Sequence, residues 1–258
     1  MTGRVSLTAI AGLPEIGPGC DLPRTIAAAL AGGGWQLERG DILVVAQKII
    51  SKAENRYRLL DEAIPGAESR RLAGLTGKDP HFVQLVLDES SAVVRAAKDV
   101  LIVRHRLGLV MANAGIDRSN VPRRADGREQ VLLLPVDPDG SARAIRQALL
   151  AGAGCGDLLG VVISDSFGRP WRLGVTNVAI GVAGLPALID RRGEADREGR
   201  LLEMTEVAFA DAIAAAAALA MGEAAESTPL ILVRGLKWQA STQTAAQLLR
   251  PLAQDLFA

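Results

Sequence analysis

The sequence predicts a fold that mixes helices with strands in one continuous body, and three features carry that prediction. Short apolar runs of strand length recur at 42–45, 131–136, 161–163 and 230–233, bounded by Gly, Pro or polar residues. Between them lie segments of helical character, the strongest being Thr205 to Met221, where alanine, the best helix former, dominates. No internal repeat, low-complexity linker or clean composition break divides the chain. Residues 1–258 therefore read as one domain, or as two intimate subdomains without a readable boundary.

Composition narrows the function. Lys+Arg and Asp+Glu are both 29, so no global field attracts nucleic acid. Aromatic residues make up only 3%, too few for base-stacking platforms. Cys20 and Cys155 are far apart and in no metal-like spacing, which argues against a zinc site and a disulfide framework. The N-terminus lacks the basic start and apolar core of a signal peptide, and the Ala-rich stretch around 212–221 is too short to cross a membrane. A cytoplasmic protein with no membrane partner is expected.

In chain order, 4–10 alternates enough for a first strand. Leu13-Pro14-Glu15-Ile16 then sits in a loop punctuated by Gly and Pro. Thr25 to Ala31 suits a short helix closed by three glycines. Asp41 to Ala46 is a strand that runs into Gln47-Lys48 and Ser51-Lys52. Lys48 and Lys52 share a face if that segment is helical, and they either meet phosphates or form a solvated basic surface. Residues 54–73 suit a surface helix and loop. Gly74-Leu75-Thr76-Gly77-Lys78-Asp79 lacks the spacer and the Ser/Thr of a Walker loop. His81 to Ala97 reads as an amphipathic helix, and His81 and His105 as structural or exposed.

Paired strands are expected at 100–103 and 107–111, the second leading into Asp117 and Asn120, whose oxygens stand among small residues. An Asx turn before Pro122 is the plainer account of that passage. Strand 131–136 precedes a helix at 142–150, with Ser141 as its cap. Gly152 to Gly156 follows a helix and precedes a strand, the reverse of a dinucleotide fingerprint, and reads as a helix end and connector. The 161–163 strand is expected to stop abruptly at Asp165-Ser166, where Gly168 and Pro170 break regular structure. A carboxylate and a hydroxyl at a strand end are hard oxygen donors suited to Mg²⁺ or Mn²⁺, and Arg169 and Arg172 follow as a phosphate site would want. The plain alternative is a solvated surface turn. Arg191 to Arg200 should be a surface loop, and Ser241 to Leu248 a last helix.

Asp117, Asp165 and Glu223 each follow a core element, so the fold could bring them together around a nucleotide triphosphate. Several motifs go further in combination. They are 12–16, Gln47-Lys48 with 51–54, Ala112-Asn113-Ala114-Gly115-Ile116-Asp117 through Val121, 134–139, 164–172, 205–208 and Met221-Gly222-Glu223-Ala224 before Pro229. On these motifs, spread over almost the whole chain, the sequence resembles the coenzyme F420-0:γ-glutamyl ligase family.

The resemblance implies an α+β fold with a mixed sheet, without a P-loop or Rossmann motif, in a homodimer. It implies GTP as co-substrate, F420-0 and L-glutamate as substrates, two Mg²⁺ or Mn²⁺ sites, and K⁺ as a further candidate. Asp117 and Asp165 would hold one metal, Ser166 and Glu223 the other. Leu13, Pro14, Glu15, Ile16, Gln47, Lys48, Lys52, Asn120 and the loop Met221, Gly222, Glu223, Ala224, Ala225, Glu226, Ser227, Thr228 would surround GTP. Asp117, Asp165, Arg169 and Arg172 would act in catalysis. The chain differs from the family pattern in carrying Ser166 where relatives often have Thr, Glu223 where they often have Gln, and Arg197-Glu198 where they tend to be apolar. A metal-dependent nucleotide phosphohydrolase, a non-catalytic deazaflavin- or nucleotide-binding protein, and the same ligase acting on a modified F420 precursor are the competing readings.

Overall fold

The computed structural model describes residues 3–122, 124–152 and 156–255. Along it run β1 (Ser6–Ala9), α1 (Leu22–Gly32), β2 (Ile42–Ala46), α2 (Gln47–Ala53), β3 (Tyr57–Leu59), α3 (Ala67–Thr76), α4 (Pro80–Asp88), β4 (Ser90–Ala97), β5 (Val100–His105) and β6 (Val110–Ala112). There follow β7 (Gln130–Leu132), α5 (Pro138–Gly152), β8 (Gly160–Arg169), β9 (Arg172–Ala183), β10 (Leu188–Asp190), β11 (Glu206–Ala208), α6 (Phe209–Met221) and β12 (Leu230–Arg234). The architecture is α+β, as expected.

A five-stranded mixed sheet in the order β1-β12-β2-β8-β9 forms the centre. Only β2 and β8 pair in parallel; the other three pairings are antiparallel. The central strands read as unbroken apolar runs because both faces of the sheet are covered. Leu43, Val45, Val161, Ile163 and Leu232 pack on one face against Ile26 and Leu30 of α1 and Ile145 and Leu149 of α5. Ile42, Val44, Val162, Ile231 and Val233 point to the other face, onto Ala210, Ile213, Ala214 and Ala217 of α6. The alanine face of α6 lets that helix lie close to the sheet. Each fully buried Leu, Ile or Val side chain contributes about 1.5–3 kcal/mol.

A third buried cluster joins Leu72 of α3, Phe82, Val83 and Val86 of α4, and Leu101 and Val103 of β5 to Val131 and Leu133. It lies beside the small sheet β4-β5-β6. His105 is buried there and structural, as read from the sequence: its Nδ1 accepts the Leu107 N–H at 3.0 Å, and its Nε2 lies 3.6 Å from Glu89. Glu89 also pairs with Arg56 at 2.8 Å and with Arg106.

Several expected boundaries shift. The helix expected over 81–97 is two elements. α4 ends at Asp88, and Ser90 to Ala97 is a strand paired with β5, its Val93 and Val94 lying on an exposed surface. β-branched residues in sequence favour a strand there over a continued helix. The 161–163 strand does not stop at Asp165: β8 runs to Arg169, and Pro170 and Trp171 form the tip of a hairpin with β9. The Ala-rich helix begins at Phe209, because Glu206 to Ala208 pairs with β10 instead.

Helix α5 begins at Pro138, and Asp137 caps it: its Oδ1 accepts the Gly140 N–H at 2.8 Å, while Ser141 donates to Glu54. Strand β7, at 130–132, covers only 131–132 of the expected 131–136, and β6 only part of 107–111. Helix 241–248 is reduced to a single 3₁₀ turn at 245–248, and the strand β3 falls where a surface helix and loop were expected. The connector at 152–156 lies mostly outside the described residues, as does Cys155. Cys20 approaches the Thr25 hydroxyl at 3.3 Å. Among the described residues, no helix is long and apolar enough to cross a membrane.

Candidate functional site

The site gathers at one end of the central sheet. β1 and β2 are each antiparallel to β12, and β2 is parallel to β8, so the chain leaves β1 and β2, and enters β12, at the same end. The last paired residues there are Ala9, Ala46 with Ser164, and Leu230 with Val45. β2 leaves the sheet at Ala46 to start α2, whereas β8 continues, so no residue of β2 pairs beside Asp165 and Ser166.

A cavity of about 500 Å³ opens at that end, within the usual size of a small-molecule site. Leu13, Pro14, Glu15 and Ile16 border it from the loop after β1, and Gln47, Lys48 and Lys52 from α2. Asn120, Val121 and Pro122 approach from a third side. Ser164, Asp165 and Ser166 of β8 and Asn177 of β9 line it, as do Met221, Gly222, Glu223, Ala224, Glu226, Ser227 and Thr228. Ala225 and Asp117 are outside this lining.

Asp117 stands behind α2 and is held through it. Gln47 donates from Nε2 to Asp117 Oδ2 at 2.6 Å, and its own Oε1 accepts from the Ser51 hydroxyl at 2.8 Å. Lys48 Nζ lies 3.2 Å from Asp117 Oδ1 and also 3.2 Å from Ser119 Oγ. The Asp117 backbone exchanges two hydrogen bonds with Leu132, at 2.8 and 2.9 Å. The chain reaches it through Asn113, Ala114 and Gly115, all with positive φ (52°, 53° and 65°). Such a left-handed turn costs about 1–2 kcal/mol at each non-glycine residue, and a Cβ at Gly115 would stand 2.8 Å from the Met111 side chain.

Acidity is perturbed where these groups meet. Burial pushes the Asp165 carboxyl up to about 8, and the nearby charge of Asp117 adds to that; the Ser166 N–H, Lys48 and Gln47 act the other way. Asp117 is also raised, first by burial and in small part by Glu223, against Lys48 and Gln47. The three acids thus share one electrostatic neighbourhood. Two buried carboxyls that raise one another, one of them on the cavity wall, suit a cation, which would relieve both. Among the described residues, however, no three His, Cys, Asp or Glu groups converge on one point.

The surrounding loops are tied down. Lys52 pairs with Glu15 at 2.6 Å, fixing the loop after β1 to α2. Asn120 donates to the Ala224 carbonyl at 3.1 Å, and Glu226 accepts the Ala224 N–H at 2.8 Å. Thr228 donates to the Met221 carbonyl at 2.6 Å. Gly222 turns the chain out of α6 with φ 76°, a conformation that favours glycine, and a Cβ there would press on the Glu226 side chain at 2.3 Å.

Arg169 and Arg172 sit elsewhere. They flank the exposed hairpin tip, beside Trp171, and do not line the cavity. Asn177, Ser164 and Val121 line it without having been expected there. No local signal marks Asn177, because only its register opposite Ser166 in the hairpin places it beside the cavity.

The family model described as F420-0:Gamma-glutamyl ligase matches residues 12–235, which include every cavity-lining segment. The chain is similar to the coenzyme F420:L-glutamate ligase of Methanothermobacter thermautotrophicus, 46% identical over 98% of both chains. It is 42% identical to the ligase of that name from Methanopyrus kandleri, over 94% of this chain and 93% of that one. The like-named protein of Archaeoglobus fulgidus is also 42% identical, over 90% and 88%. The match spans the sheet, the cavity and the loops around it, and the chain belongs to the F420-0:gamma-glutamyl ligase family.

Proposed function

We propose that this chain joins L-glutamate to coenzyme F420-0 at the expense of GTP, and extends the product by further γ-linked glutamates. The observation that carries the reading is Asp165 with Ser166, Glu223 and Lys48 on a cavity of about 500 Å³, with Asp117 held next to them by Gln47 and Lys48, in a chain of this family. Amide formation from a free carboxylate needs activation. The terminal carboxylate of F420-0 attacks the γ-phosphorus of GTP, the bond to the departing GDP breaks, and an acyl phosphate forms. The glutamate amine then attacks the acyl carbon, phosphate leaves with the C–O bond, and the amine loses a proton.

The chain's own groups have defined parts in this. Lys48 and Lys52 bring positive charge to the phosphates. The loops 13–16 and 221–228 border the nucleotide and hold it in line with the acceptor. Gln47, anchored by Ser51, fixes the Asp117 carboxylate. Asp165, Asp117, Ser166 and Glu223 would hold Mg²⁺ or Mn²⁺, which when bound supplies charge neutralisation to the phosphate oxygens. No covalent enzyme nucleophile is proposed.

Mass spectrometry of F420-0 incubated with the protein, GTP, L-glutamate and Mg²⁺ or Mn²⁺ tests the reading. A ladder of added glutamyl units that requires GTP is the expected result. Steady GDP without added glutamate would point instead to the phosphohydrolase. Neither product, with F420-0 retained, would leave a binding protein or a different acceptor. Glu223→Gln should keep ligation within about threefold of the wild type, because the amide retains an oxygen donor. A loss of ten-fold or more would show that the Glu223 charge itself is needed.

A further inference from the structure

An arginine outside the cavity is tied to Asp117 by two routes. Arg56 stands between α2 and β3, its side chain only 12% exposed. Its Nε donates to the Leu134 carbonyl at 2.7 Å, and its NH2 to the buried Glu89 at 2.8 Å. Its backbone N–H donates to the Ser51 carbonyl at 2.9 Å, and its own carbonyl accepts the Leu133 N–H at 3.1 Å. The planar guanidinium directs its two side-chain bonds at fixed angles. It therefore holds the end of α2 and the segment 132–134 in one relative position.

Both of those segments lead to Asp117. On the first route the Ser51 hydroxyl donates to Gln47 at 2.8 Å, and Gln47 donates to Asp117 Oδ2 at 2.6 Å. On the second, Leu132 exchanges two backbone hydrogen bonds with Asp117. The Leu134 side chain also lies against Gly115, in the left-handed turn that leads to Asp117. One route sets where a carboxylate oxygen points, and the other where the backbone beneath it stands. The anchor lies outside the central sheet: Glu89 closes α4 and also pairs with Arg106, so it keeps a cation when Arg56 is removed. Arg56, Glu89 and Leu134 do not line the cavity, so they act on the chemistry only through the residues they hold.

We propose that Arg56, anchored on Glu89, is a positioning residue for Asp117, fixing the carboxylate where it serves a divalent cation. The cation role of Asp117 rests on the ligase reading; the part given to Arg56 deepens it. Groups bonded behind a metal ligand carry about 10–100-fold in metal affinity, and Arg56, one bond further back, belongs at the low end of that range.

The test compares the wild type, Arg56→Met and Arg56→Lys. Arg234→Met is the control, because its lost bonds to buried Asp41 lie at the far end of β2. Mn²⁺ binding to the full chain without nucleotide at pH 8 is read from the loss of the free Mn²⁺ electron paramagnetic resonance signal. Glutamate addition is then followed across Mn²⁺ concentrations at saturating GTP. Arg56→Met should weaken Mn²⁺ about ten-fold and raise the Mn²⁺ needed for half-maximal addition by the same factor, with kcat at saturating Mn²⁺ within about three-fold of the wild type. Arg56→Lys keeps the charge beside Glu89 without the fork, and should weaken Mn²⁺ about three-fold. Arg234→Met should melt lower yet bind Mn²⁺ as the wild type does, so that lowered stability alone cannot account for the Arg56 result.

Wild-type Mn²⁺ binding by Arg56→Met would overturn the proposal. So would equal weakening in Arg234→Met, a fall in kcat that added Mn²⁺ does not restore, or a wild type that takes up no Mn²⁺. Should the methionine variant fail to fold, Arg56→Lys decides alone, and wild-type binding there would overturn the proposal as well. The two readings stay separable. A GTP-dependent ladder with unaltered Mn²⁺ binding in the variants removes only the part given to Arg56, and weakened Mn²⁺ binding without any ladder in the wild type removes only the ligase.

Discussion

Asp165→Asn is expected to lower glutamate addition by about 10³-fold or more while the protein remains folded. The magnitude follows from charge stabilisation worth several kcal/mol at about 1.36 kcal/mol per decade. The same change should make the cation-free protein more stable at pH 8. Asp165 is raised to about 8 in the folded chain, chiefly by burial, whereas a free aspartate ionises near pH 4. Between those values the folded state binds the extra proton, so stability from this group is complete below about pH 4 and is lost as pH rises towards 8. Asparagine has no proton to lose. Melting in chelator should therefore show the variant close to the wild type at pH 5 and more stable at pH 8, by on the order of 1–3 kcal/mol once screening through the open cavity is allowed for. Added Mn²⁺ should stabilise the wild type and not the variant. Wild-type turnover in Asp165→Asn would remove the residue from the site, and equal melting at both pH values would remove the account of its burial.

The parts of this fold that the sequence showed are those where burial is complete. Ile42 to Val45, Val161 to Ile163 and Leu230 to Val233 are covered on both faces, so each is an apolar run with no competing reading. Where an element is half exposed, the signal weakens or misleads. Leu85, Val86, Val93 and Val94 mimic a helical stripe, yet the first pair packs in a helix and the second lies outward on a strand. The β8–β9 hairpin was hidden because its outer half stands in solvent, and Gly168 and Pro170 signal a break at what is only its tip.

That single misreading also explains where Arg169 and Arg172 were expected. A turn after Ser166 would have folded them back over Asp165, whereas a continuing strand carries them outward at about 3.3 Å per residue. The acids were legible because each follows a core element. Asn177 was not, because nothing local separates a cavity-lining amide from a surface one until the hairpin register is known.

Arg234→Met tests the opposite end of the same sheet, and it should cost stability without touching the chemistry. Asp41 is fully buried just before β2, and Arg234 at the end of β12 grips it with two bonds, Nε to Oδ1 and NH2 to Oδ2, each 2.8 Å. Arg234 also donates to the Gln36 carbonyl at 2.9 Å, and the Glu38 N–H completes the Asp41 carboxylate at 2.7 Å. Removing the guanidinium strands a buried charge, which costs about 3–5 kcal/mol. For a chain of this size each kcal/mol moves the midpoint by about 2–4 °C, so a drop of on the order of 10 °C is expected in thermal melts. Replacing both partners, Asp41→Asn with Arg234→Met, should recover part of that loss, because the uncompensated charge goes with its partner. The five residues of β2 separate Asp41 from Ala46 by about 16 Å, so kcat at 20 °C should stay near the wild type. A single variant that melts with the wild type would mean that water reaches Asp41 once the arginine is gone. A variant that folds but loses turnover would mean that the two ends of β2 are coupled through the sheet.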